Sequence, residues 1–588
     1  MNNVTQNAAQ APKAVAHVAT AAPKVAGRQA AQAPTLANKR ARSFARAVHR
    51  PSYVRTTDPE DCEKGIIGGG KGWRVRSAQE GKASEDEETR IGSEQSSRNE
   101  KESDPYDFPA TYTKKSKDKE GNEVILLKFV EGDREDPLNW SRAYKWYTTG
   151  LLCCMTLFIG LATTSYSSSI GSMTRQLGVS ELAGQGGLTT FNGVCAIAPL
   201  IIGPLTEVTG RRYTYIFSHM FFVLTFLLLA LKNNIAQVLI GRGILGMFGS
   251  VGTILVGGTF GDIWKPVDRT VPTALFSYVA IFGTVAAPIY AGFVDESLGP
   301  WWQEWIQMIQ NGVLLVVVAL TLKETRGDVK LKKRAKQIRR ITGDDRYIAE
   351  IELEARNFAD LLVQSSVKAI HLLITEPVLF AFGLWIAFAW FTTFVFLSVI
   401  PITFEEKKGW SHGIAGLPYI ALCIGVSIAF GVNFISERMY RRKHEESGGK
   451  NVPEARLYLS LWLGWTLPGG LFIYSFTQYE RLHWIGPCFG LVLIGSGIFS
   501  IFNGVYDYTN DSYGQQASSG IAGQGLMRNM LAAVGPLFAS QMFHNMGSQY
   551  AGLLMALIAT LLTPIPFILF KWGPTLRKRS KVASQYTD

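Results

Sequence analysis

Gly203-Pro204-Leu205-Thr206-Glu207-Val208-Thr209-Gly210-Arg211-Arg212 separates two long apolar runs, residues 186–206 and 213–231. Because an α-helix rises about 1.5 Å per residue, each run is long enough to cross the hydrocarbon core of a bilayer. The decapeptide is therefore predicted to be a tight turn between two membrane spans.

The residue types of this turn fit that position. Gly203 permits close contact between helices, and Gly210 permits a turn with positive φ. Arg211 and Arg212 lie where phosphate headgroups and the cytosolic surface attract cations. A basic turn after a span can also be a topology signal and nothing more, and charge alone does not separate the two interpretations.

The composition of the whole chain indicates a polytopic membrane protein. It has 588 residues, 47% of them hydrophobic, and many long uninterrupted apolar runs, which is too apolar for a soluble protein. The formal net charge of +12 is interpreted as basic residues flanking spans, so no nucleic-acid partner is expected. Five of the six cysteines lie inside apolar runs without metal-ligand spacing. We therefore expect no disulfide framework, no metal site and no cofactor.

The N-terminal region differs from the rest. Residues 1–135 are rich in Ala, Pro, Ser, Lys and Glu and lack apolar periodicity, which predicts a disordered cytosolic tail. No cleavable signal peptide is visible. The first 57 residues are basic and contain no acid, a composition shared with organelle transit peptides. The alternative is a cytosolic basic tail whose following span acts as an uncleaved insertion signal.

Twelve apolar runs define two halves of six spans each, at residues 136–322 and 377–572. A basic linker at 323–376, polar and helical in character, joins them, and a short tail follows at 573–588. The fold class is thus an all-α polytopic membrane protein with twelve transmembrane helices around a central cavity. The spans are predicted near residues 146–168, 186–206, 213–231, 236–258, 271–293, 305–322, 377–400, 413–435, 455–476, 482–504, 516–540 and 549–571.

The distribution of Lys and Arg predicts the orientation. The linker and the loops on its side carry most of the basic residues, whereas the opposite loops carry few. By the positive-inside rule both termini are cytosolic. We expect a monomer in the cell membrane, with a vacuolar or other internal membrane as the alternative.

An internal repeat supports the two-half organisation. Thr206-Glu207-x-x-x-Arg211-Arg212 after span 2 recurs with the same spacing as Ser436-Glu437-x-x-x-Arg441-Arg442 after span 8. Tyr440 replaces the glycine, so the second copy is degenerate, and coincidence in a basic loop is the other explanation. As the equivalents of the first copy, Glu437 and Arg441 are candidate gating residues.

The first copy, in the pattern Gly-x-Leu-x-Asp/Glu-x-x-Gly-Arg-Arg/Lys, resembles the loop between spans 2 and 3 of the major facilitator superfamily. Asp136-Pro137-Leu138-Asn139-Trp140-Ser141 and Tyr508-Thr509-Asn510-Asp511-Ser512-Tyr513 resemble segments of its fungal drug:proton antiporter branch. Lys323-Glu324-Thr325-Arg326 stands where that branch carries Pro-Glu-Thr. The resemblance covers residues 136–572. It implies a twelve-span transporter with gating roles for Gly203, Glu207, Gly210, Arg211 and Arg212.

Span 4 places Arg242 in an otherwise apolar helix. A charged side chain in a membrane helix costs about 2.5–3.5 kcal/mol on insertion scales, so Arg242 is expected to face a cavity or a partner. The resemblance implies a role in proton coupling for Arg242, and we assign Asp511 to the same role. The alternative for Arg242 is a residue that merely caps the membrane edge.

Span 5 resembles the antiporter motif Gly-x-x-x-Gly-Pro-x-x-Gly-Gly, with Gly283, Pro288 and Gly292 retained and Ala287 and Ala291 in place of glycines. The proline lets the helix kink, and the small residues let another helix approach. The segment is a candidate hinge for alternating access. A stripe that serves only helix packing is the other interpretation.

Polar and aromatic residues inside the spans constrain the cargo. The acids lie at the ends of the spans and none lies at mid-membrane, whereas a site for organic cations needs a counter-charge. A neutral or acidic amphipathic molecule is therefore favoured. The candidate cavity residues are Asn192, Trp385, Trp390, Phe394, Tyr419, Tyr506, Gln524, Arg528 and Asn529.

Together with these observations, the resemblance implies a fungal proton-coupled exporter of a secondary metabolite, a secreted glycolipid or a drug, with the bilayer, a small organic substrate and protons as partners. An importer or facilitator of a nutrient and a non-transporting receptor are the alternatives. The sequence lacks His-x-x-x-x-Asp, Gly-x-Ser-x-Gly and a phosphate-binding glycine loop, which argues against an enzyme.

Overall fold

The computed structural model describes residues 75–77, 111–117, 123–129, 132–231, 234–265, 268–353, 358–448, 452–580 and 582–586. The side chains of Glu207 and Val208 lie outside this description. Most of the predicted N-terminal tail, including the basic first 57 residues, also lies outside the described residues.

The first half consists of six long helices that correspond to the six predicted spans. Most of them extend beyond the apolar runs, because polar residues continue the helices outside the hydrocarbon region. Spans 1 to 6 are Arg142–Leu177, Glu181–Thr209, Arg211–Ala230, Ile235–Ile263, Thr270–Leu298 and Trp302–Thr321.

The second half repeats this arrangement with two broken spans. Span 9 is interrupted after Leu463, and Pro468 belongs to the first turn of its second piece, where a missing amide hydrogen is tolerated. Span 12 restarts at Pro564. Spans 7 to 12 are Pro377–Pro401, Tyr419–Glu446, Tyr458–Leu463 with Thr466–Thr477, Ile485–Tyr513, Ala517–Asn545, and Ser548–Leu562 with Pro564–Arg579.

Ten helices among the described residues are long and apolar enough to cross a membrane. The two spans outside this set are 9 and 11. Span 9 is divided into two short helices. Span 11 is long enough, but Gln524, Arg528 and Asn529 make it more polar than the others. These two spans thus differ from the other ten because one is broken and the other carries polar groups in the protein interior.

The contacts between spans show that the halves are structural repeats. The four main pairs in the first half have counterparts six spans later. The two main contacts between the halves, span 2 with span 11 and span 5 with span 8, are also equivalent under this six-span shift. Parallel repeats of this kind enclose a pathway between them. The corresponding pairs are 1–5 and 7–11, 2–4 and 8–10, 3–4 and 9–10, and 3–6 and 9–12.

The linker is helical, as its sequence predicted. Helix Gly327–Thr342 is followed by strand Tyr347–Ala349, the short helix Glu350–Leu353 and helix Phe358–Thr375. We call the side of the bundle that carries this linker the linker face, and the opposite side the far face. The last helix packs on spans 2 and 11, with Ser366 Oγ donating to the Leu200 carbonyl oxygen at 3.0 Å.

An ordered segment precedes span 1, within the region predicted to be a tail. Strand Glu123–Phe129 pairs in parallel with Tyr347–Ala349, so that Leu127 is fully buried opposite Ala349. Arg334 of the linker then binds the carboxylates of Asp133 and Glu135 at 2.9 and 2.6 Å. The other two strands are Val75–Ser77 and Thr111–Lys117, and short 3-10 segments lie at Pro137–Asn139, Ile414–Gly416, Pro453–Leu457, Gly514–Gln516 and Ala583–Tyr586.

Candidate functional site

The turn between spans 2 and 3 has the predicted conformation. Gly210 has a φ of 91°, which a residue with a side chain rarely adopts. A Cβ atom on Gly210 would also lie 2.6 Å from the Glu324 carboxylate. That carboxylate accepts hydrogen bonds from the backbone amides of Arg211 at 2.9 Å and Arg212 at 3.1 Å. Glu324, at the end of span 6, thus caps the amino terminus of span 3, where a negative charge is favourable.

The two arginines of the turn have different partners. Arg211 Nε donates to Asp262 Oδ2 of span 4 at 2.5 Å, whereas Arg212 donates to the Ala319 carbonyl oxygen of span 6 at 3.3 Å. The turn therefore joins spans 3, 4 and 6. No described atom lies within 4 Å of the position that a Cβ of Gly203 would take, so the close helix contact predicted there is absent in this conformation. The gating role of Glu207 stays a prediction.

The span 5 motif lies between span 1 and the second half. A Cβ on Gly283 would approach the Leu157 carbonyl oxygen of span 1 at 2.7 Å, and one on Gly292 would approach the His412 carbonyl oxygen at 2.8 Å. A Cβ on Gly416, just before span 8, would lie similarly close to the Pro288 carbonyl oxygen. Close packing therefore requires glycine at both positions of the motif. The contact at Gly283 lies within the first half, and the contacts at Gly292 and Pro288 join the two halves at the far face.

Arg242 is buried and paired. Its Nη2 donates to Glu304 Oε1 at 2.5 Å and its Nη1 to the Ala162 carbonyl oxygen at 3.1 Å. The guanidinium also lies 4.0 Å from the centre of the Tyr166 ring. Only 1% of the Arg242 side chain and 8% of the Glu304 side chain are exposed, so this is a buried ion pair rather than a residue at the membrane edge.

Glu304 was missed as a site residue because it lies in the first turn of span 6. A signal was present in the sequence, since Gln303, Gln307 and Asn311 follow a helical spacing through an apolar span. All three are buried. A polar stripe of this kind faces protein rather than lipid, and an acid beside it needs an internal partner.

The second copy of the repeat uses a different arginine. Arg456, just before span 9, donates to Asp511 Oδ2 at 2.7 Å and to Glu437 Oε2 at 3.1 Å. Tyr440 Oη also donates to Asp511, at 2.9 Å. Arg441 pairs with Glu437 at 3.0 Å, but 48% of its side chain is exposed. The equivalence of Arg441 with Arg211 suggested by the sequence is therefore wrong, and Arg456 takes that position.

Asp507 is a second carboxylate in this region. It is 8% exposed, one turn before Asp511 on span 10. Its Oδ2 accepts a hydrogen bond from Asn503 Nδ2 at 2.9 Å. No cation among the described residues lies within 4 Å of it. A buried carboxylate without an ion-pair partner is a candidate to bind a proton.

Arg528 lies at mid-depth in an aromatic enclosure built by spans 7, 10 and 11. Its Nη1 donates to Tyr506 Oη at 2.7 Å, and its Nε to Asn529 Oδ1 at 3.2 Å. The guanidinium carbon lies 5.2 Å from the Trp390 ring centre and 5.1 Å from that of Phe502. Arg528 is 6% exposed, and no carboxylate oxygen of the described residues lies within 4 Å of it. This enclosure holds an uncompensated positive charge.

Two of the other candidate cavity residues, Phe394 and Asn529, adjoin this enclosure. Phe394 contacts Trp390 edge to face, and Asn529 Nδ2 lies 3.4 Å from the Cys195 carbonyl oxygen of span 2. The remaining candidates have local structural contacts. Asn192 donates to its own helix at Leu188, Gln524 bonds Thr509, Trp385 stacks on Phe382, and Tyr419 donates to the Phe396 and Leu397 carbonyls. Phe502 was not among the predicted residues.

The family model for the Major Facilitator Superfamily matches residues 152–530. Fold and site define a two-half polytopic secondary transporter, and the chain belongs to the major facilitator superfamily. Its fold is also similar to a solved peptide transporter, POT, in complex with alafosfalin. The TM-score is 0.52 and the identity 13%, over 73% of this chain and 94% of that chain.

Fungal relatives support the same assignment. The MFS-type transporter paaT of Penicillium rubens is 31% identical over 78% of this chain and 84% of its own length. The ascochitine biosynthesis cluster MFS transporter of Didymella fabae is 29% identical over 76% and 87%. A protein of Saccharomyces cerevisiae named as a probable drug/proton antiporter is 26% identical over 81% and 93%.

Proposed function

We propose that this transporter exports a neutral or acidic amphipathic organic molecule from the cytosol in exchange for protons. The observation that carries the proposal is the Arg528 enclosure, which combines aromatic faces with a buried guanidinium that has no carboxylate partner within 4 Å among the described residues. Such a site attracts anionic or electron-rich aromatic groups and repels organic cations.

The position of Arg528 fits a transport pathway. Its neighbour Asn529 contacts Cys195 of span 2, and Thr189 of span 2 donates to the Ala533 carbonyl oxygen of span 11 at 2.8 Å. The enclosure therefore adjoins the seam between the halves. Movement of one half against the other would open it to either face in turn.

Two carboxylates support proton coupling. Glu304 lies toward the far face and is paired with Arg242, whereas Asp507 lies toward the linker face without an ion pair within 4 Å among the described residues. Protonation of Glu304 would release the Arg242 guanidinium, and Asp507 can be protonated without breaking an ion pair. The names of two relatives, one a probable drug/proton antiporter and one a biosynthesis-cluster transporter, support proton exchange and a small organic cargo.

We also propose an orientation of the protein in the membrane. Both termini and the linker face are assigned to the cytosol, because the basic loops lie there, and the cell membrane is the proposed location. A cysteine at Leu482, which is exposed on the far face, should react with an impermeant maleimide in intact cells. Protection of that cysteine, with labelling only after lysis, would place the protein in an internal membrane or reverse its orientation.

The cargo class is tested in proteoliposomes with an imposed pH gradient, using carboxyfluorescein as an acidic aromatic probe and ethidium as a cationic one. Wild-type protein should accumulate the acid and not the cation. A hydrogen bond to a charged group contributes about 1.5–3 kcal/mol, so Arg528→Gln should lower uptake of the acid roughly 10–100-fold, and Arg528→Lys less.

The matched control is Arg441→Gln, which removes an exposed arginine from the same half and should leave uptake unchanged. Preferential uptake of ethidium would overturn the cargo class. Movement of the probe only downhill, whatever the pH gradient, would replace the antiporter by a facilitator. No movement of either probe or of a wider panel would favour a receptor.

A further inference from the structure

The two halves meet at the far face through the short segment between spans 7 and 8. His412 Nε2 lies 2.8 Å from the Ser168 carbonyl oxygen of span 1. The backbone amide of Gly413 donates to Glu296 Oε2 of span 5 at 2.9 Å. The absence of a side chain at Gly292 lets span 5 approach the His412 backbone. His412 therefore belongs to the second half and binds two spans of the first.

The hydrogen bonds of His412 require a protonated ring. Nδ1 lies 3.0 Å from Glu405 Oε2, and Nε2 faces the Ser168 carbonyl oxygen. Both partners are acceptors, so both ring nitrogens must carry hydrogen atoms. A neutral imidazole has only one N–H group and would leave a lone pair facing an oxygen. The hydrogen-bond partners of His412 in the closed far face therefore match the protonated ring and not the neutral one.

The surroundings also call for a positive charge. Asp295 Oδ2 of span 5 lies 3.6 Å from Nε2, and its Oδ1 accepts a hydrogen bond from Ser172 at 2.5 Å. The charged groups from the neighbouring elements are Glu405 after span 7, Asp295 and Glu296 of span 5, and Arg175 of span 1. The charged groups around His412 are thus three carboxylates and one arginine. Loss of the His412 charge would leave the negative charge of these carboxylates poorly compensated.

Two other histidines show what is particular to this site. His219 Nε2 faces the Asn311 carbonyl oxygen at 3.1 Å, while its Nδ1 has no partner among the described residues, so a neutral ring satisfies it. His544 has two acceptors, as His412 does, namely Glu406 at 2.9 Å and the Ser540 carbonyl oxygen at 2.7 Å. Both acceptors belong to the second half, so protonation of His544 does not join the halves.

We propose that His412 is a proton-binding site that closes the far face: the imidazolium holds the second half against spans 1 and 5, and loss of its proton releases them. The hydrogen bond to Glu405 raises the pKa of His412 above its ordinary value, and burial opposes this effect. The closed state is therefore favoured below the pKa of the open state, and this stabilisation is lost as pH rises through the pKa of the closed state.

If the protein exports cargo in exchange for protons, as proposed above, protonation of His412 also drives a step of the transport cycle. The closure of the far face by His412 does not depend on that proposal. After cargo leaves at the far face, a proton taken up there by His412 would close that face. Closure then favours the conformation open to the linker face, where the next cargo molecule binds. An acidic medium on the far side would thus drive the return step of the cycle.

The test measures the far face directly and uses no cargo. Full-length protein with its native cysteines replaced by alanine carries spin labels at Leu298→Cys of the first half and Leu482→Cys of the second, both exposed. Distances between the labels are measured in lipid nanodiscs from about pH 5 to 9, the range in which histidine titrates. The shorter distance between the labels, which marks the closed far face, should dominate at low pH. The ratio of open to closed molecules should rise with pH, up to about tenfold for each unit by which the two pKa values of His412 differ.

Three variants separate this site from a general effect of pH. His412→Gln should give the open distribution of high pH throughout, and His412→Lys, which keeps a charged donor, should stay closed throughout. His544→Gln is the matched control and should titrate as the wild type does. A wild-type distribution that ignores pH, a His412→Gln or His412→Lys variant that titrates normally, or loss of the titration in His544→Gln would each overturn the proposal. Because no cargo is present, the result is independent of the Arg528 experiment.

Discussion

The Nε atom of Arg211 donates to Oδ2 of Asp262 at 2.5 Å and so joins the first turn of span 3 to the end of span 4. The second half contains the same arrangement six spans later. There Arg456, just before span 9, donates to Asp511 near the end of span 10 at 2.7 Å. Arg456 Nη1 also lies 3.4 Å from Thr270 Oγ1 of span 5. The linker face is therefore held by two equivalent ion pairs, one of which also contacts the other half.

The first prediction separates Arg456 from the arginine that the sequence repeat singled out. Arg456→Ala leaves the largely buried carboxylates of Asp511 and Glu437 without their shared cation, whereas Arg441→Ala removes a half-exposed arginine that pairs with Glu437 four residues earlier on the same helix. Breaking a buried ion pair costs about 3–5 kcal/mol, whereas a surface pair between residues four apart on a helix contributes about 0.3–0.5 kcal/mol to stability. Arg456→Ala should lower the thermal unfolding temperature and transport, and Arg441→Ala should change neither. Equal effects would show that the two arginines are equivalent.

The second prediction concerns Glu324. Its carboxylate accepts hydrogen bonds from four backbone amides, those of Arg211, Arg212, Thr325 and Arg326. Loss of a capping side chain costs about 0.5–2 kcal/mol, so Glu324→Ala should lower the thermal unfolding temperature and reduce transport. Asp328→Ala is the control, because Asp328 is half exposed and pairs with Arg326 at 3.5 Å. A Glu324→Ala protein as stable as this control would remove the capping role.

The third prediction concerns the segment before span 1. Arg334 and Asp133 each expose 4% of their side chains, whereas Arg346 exposes 60% and pairs with Asp344 at the same 2.9 Å. Arg334→Ala should release the segment that carries Asp133 and Glu135 and speed amide hydrogen exchange in strand Glu123–Phe129. Arg346→Ala should leave that exchange unchanged, since an exposed pair contributes about 0–1 kcal/mol. Unaltered exchange in Arg334→Ala would mean that strand pairing alone holds the segment.

Sequence patterns predicted the architecture because apolar length and basic loops are local properties. The twelve spans, the helical linker and the Gly210 turn were all visible as patterns in the sequence. The broken span 9 and the strand at Glu123–Phe129 were not, because each depends on what packs against it. The strand carries an apolar run of only four residues and needs Tyr347–Ala349 as its partner.

The site was harder to predict because its partners are distant in sequence. Arg242 and Arg528 were recognisable as cations inside apolar helices, but the sequence gives no sign that one has an acid and the other does not. Glu304 and Arg456 lie near span ends, where charges are common and carry little information. His412 lies in a short loop, and only the contact between the halves shows that both of its nitrogens face acceptors.

The last prediction concerns the buried ion pair of Arg242 and Glu304, in which Nη2 of the arginine lies 2.5 Å from Oε1 of the glutamate. Arg242→Gln leaves a buried carboxylate without its cation, and Glu304→Gln leaves a buried guanidinium with the Ala162 carbonyl and the Tyr166 ring. Each single variant should be destabilised by about 3–5 kcal/mol. The double variant carries no buried charge at this site, so it should be more stable than the sum of the single effects predicts.

Transport distinguishes a structural pair from a coupling pair. If the pair only stabilises the fold, transport should recover in the double variant together with the thermal unfolding temperature. We expect stability to recover while accumulation against a gradient does not, because a neutral amide pair cannot exchange a proton. Downhill exchange of the probe should persist in the same protein, which shows that the pathway is intact. Recovery of uphill accumulation in the double variant would remove Arg242 and Glu304 from proton coupling and leave that role to Asp507.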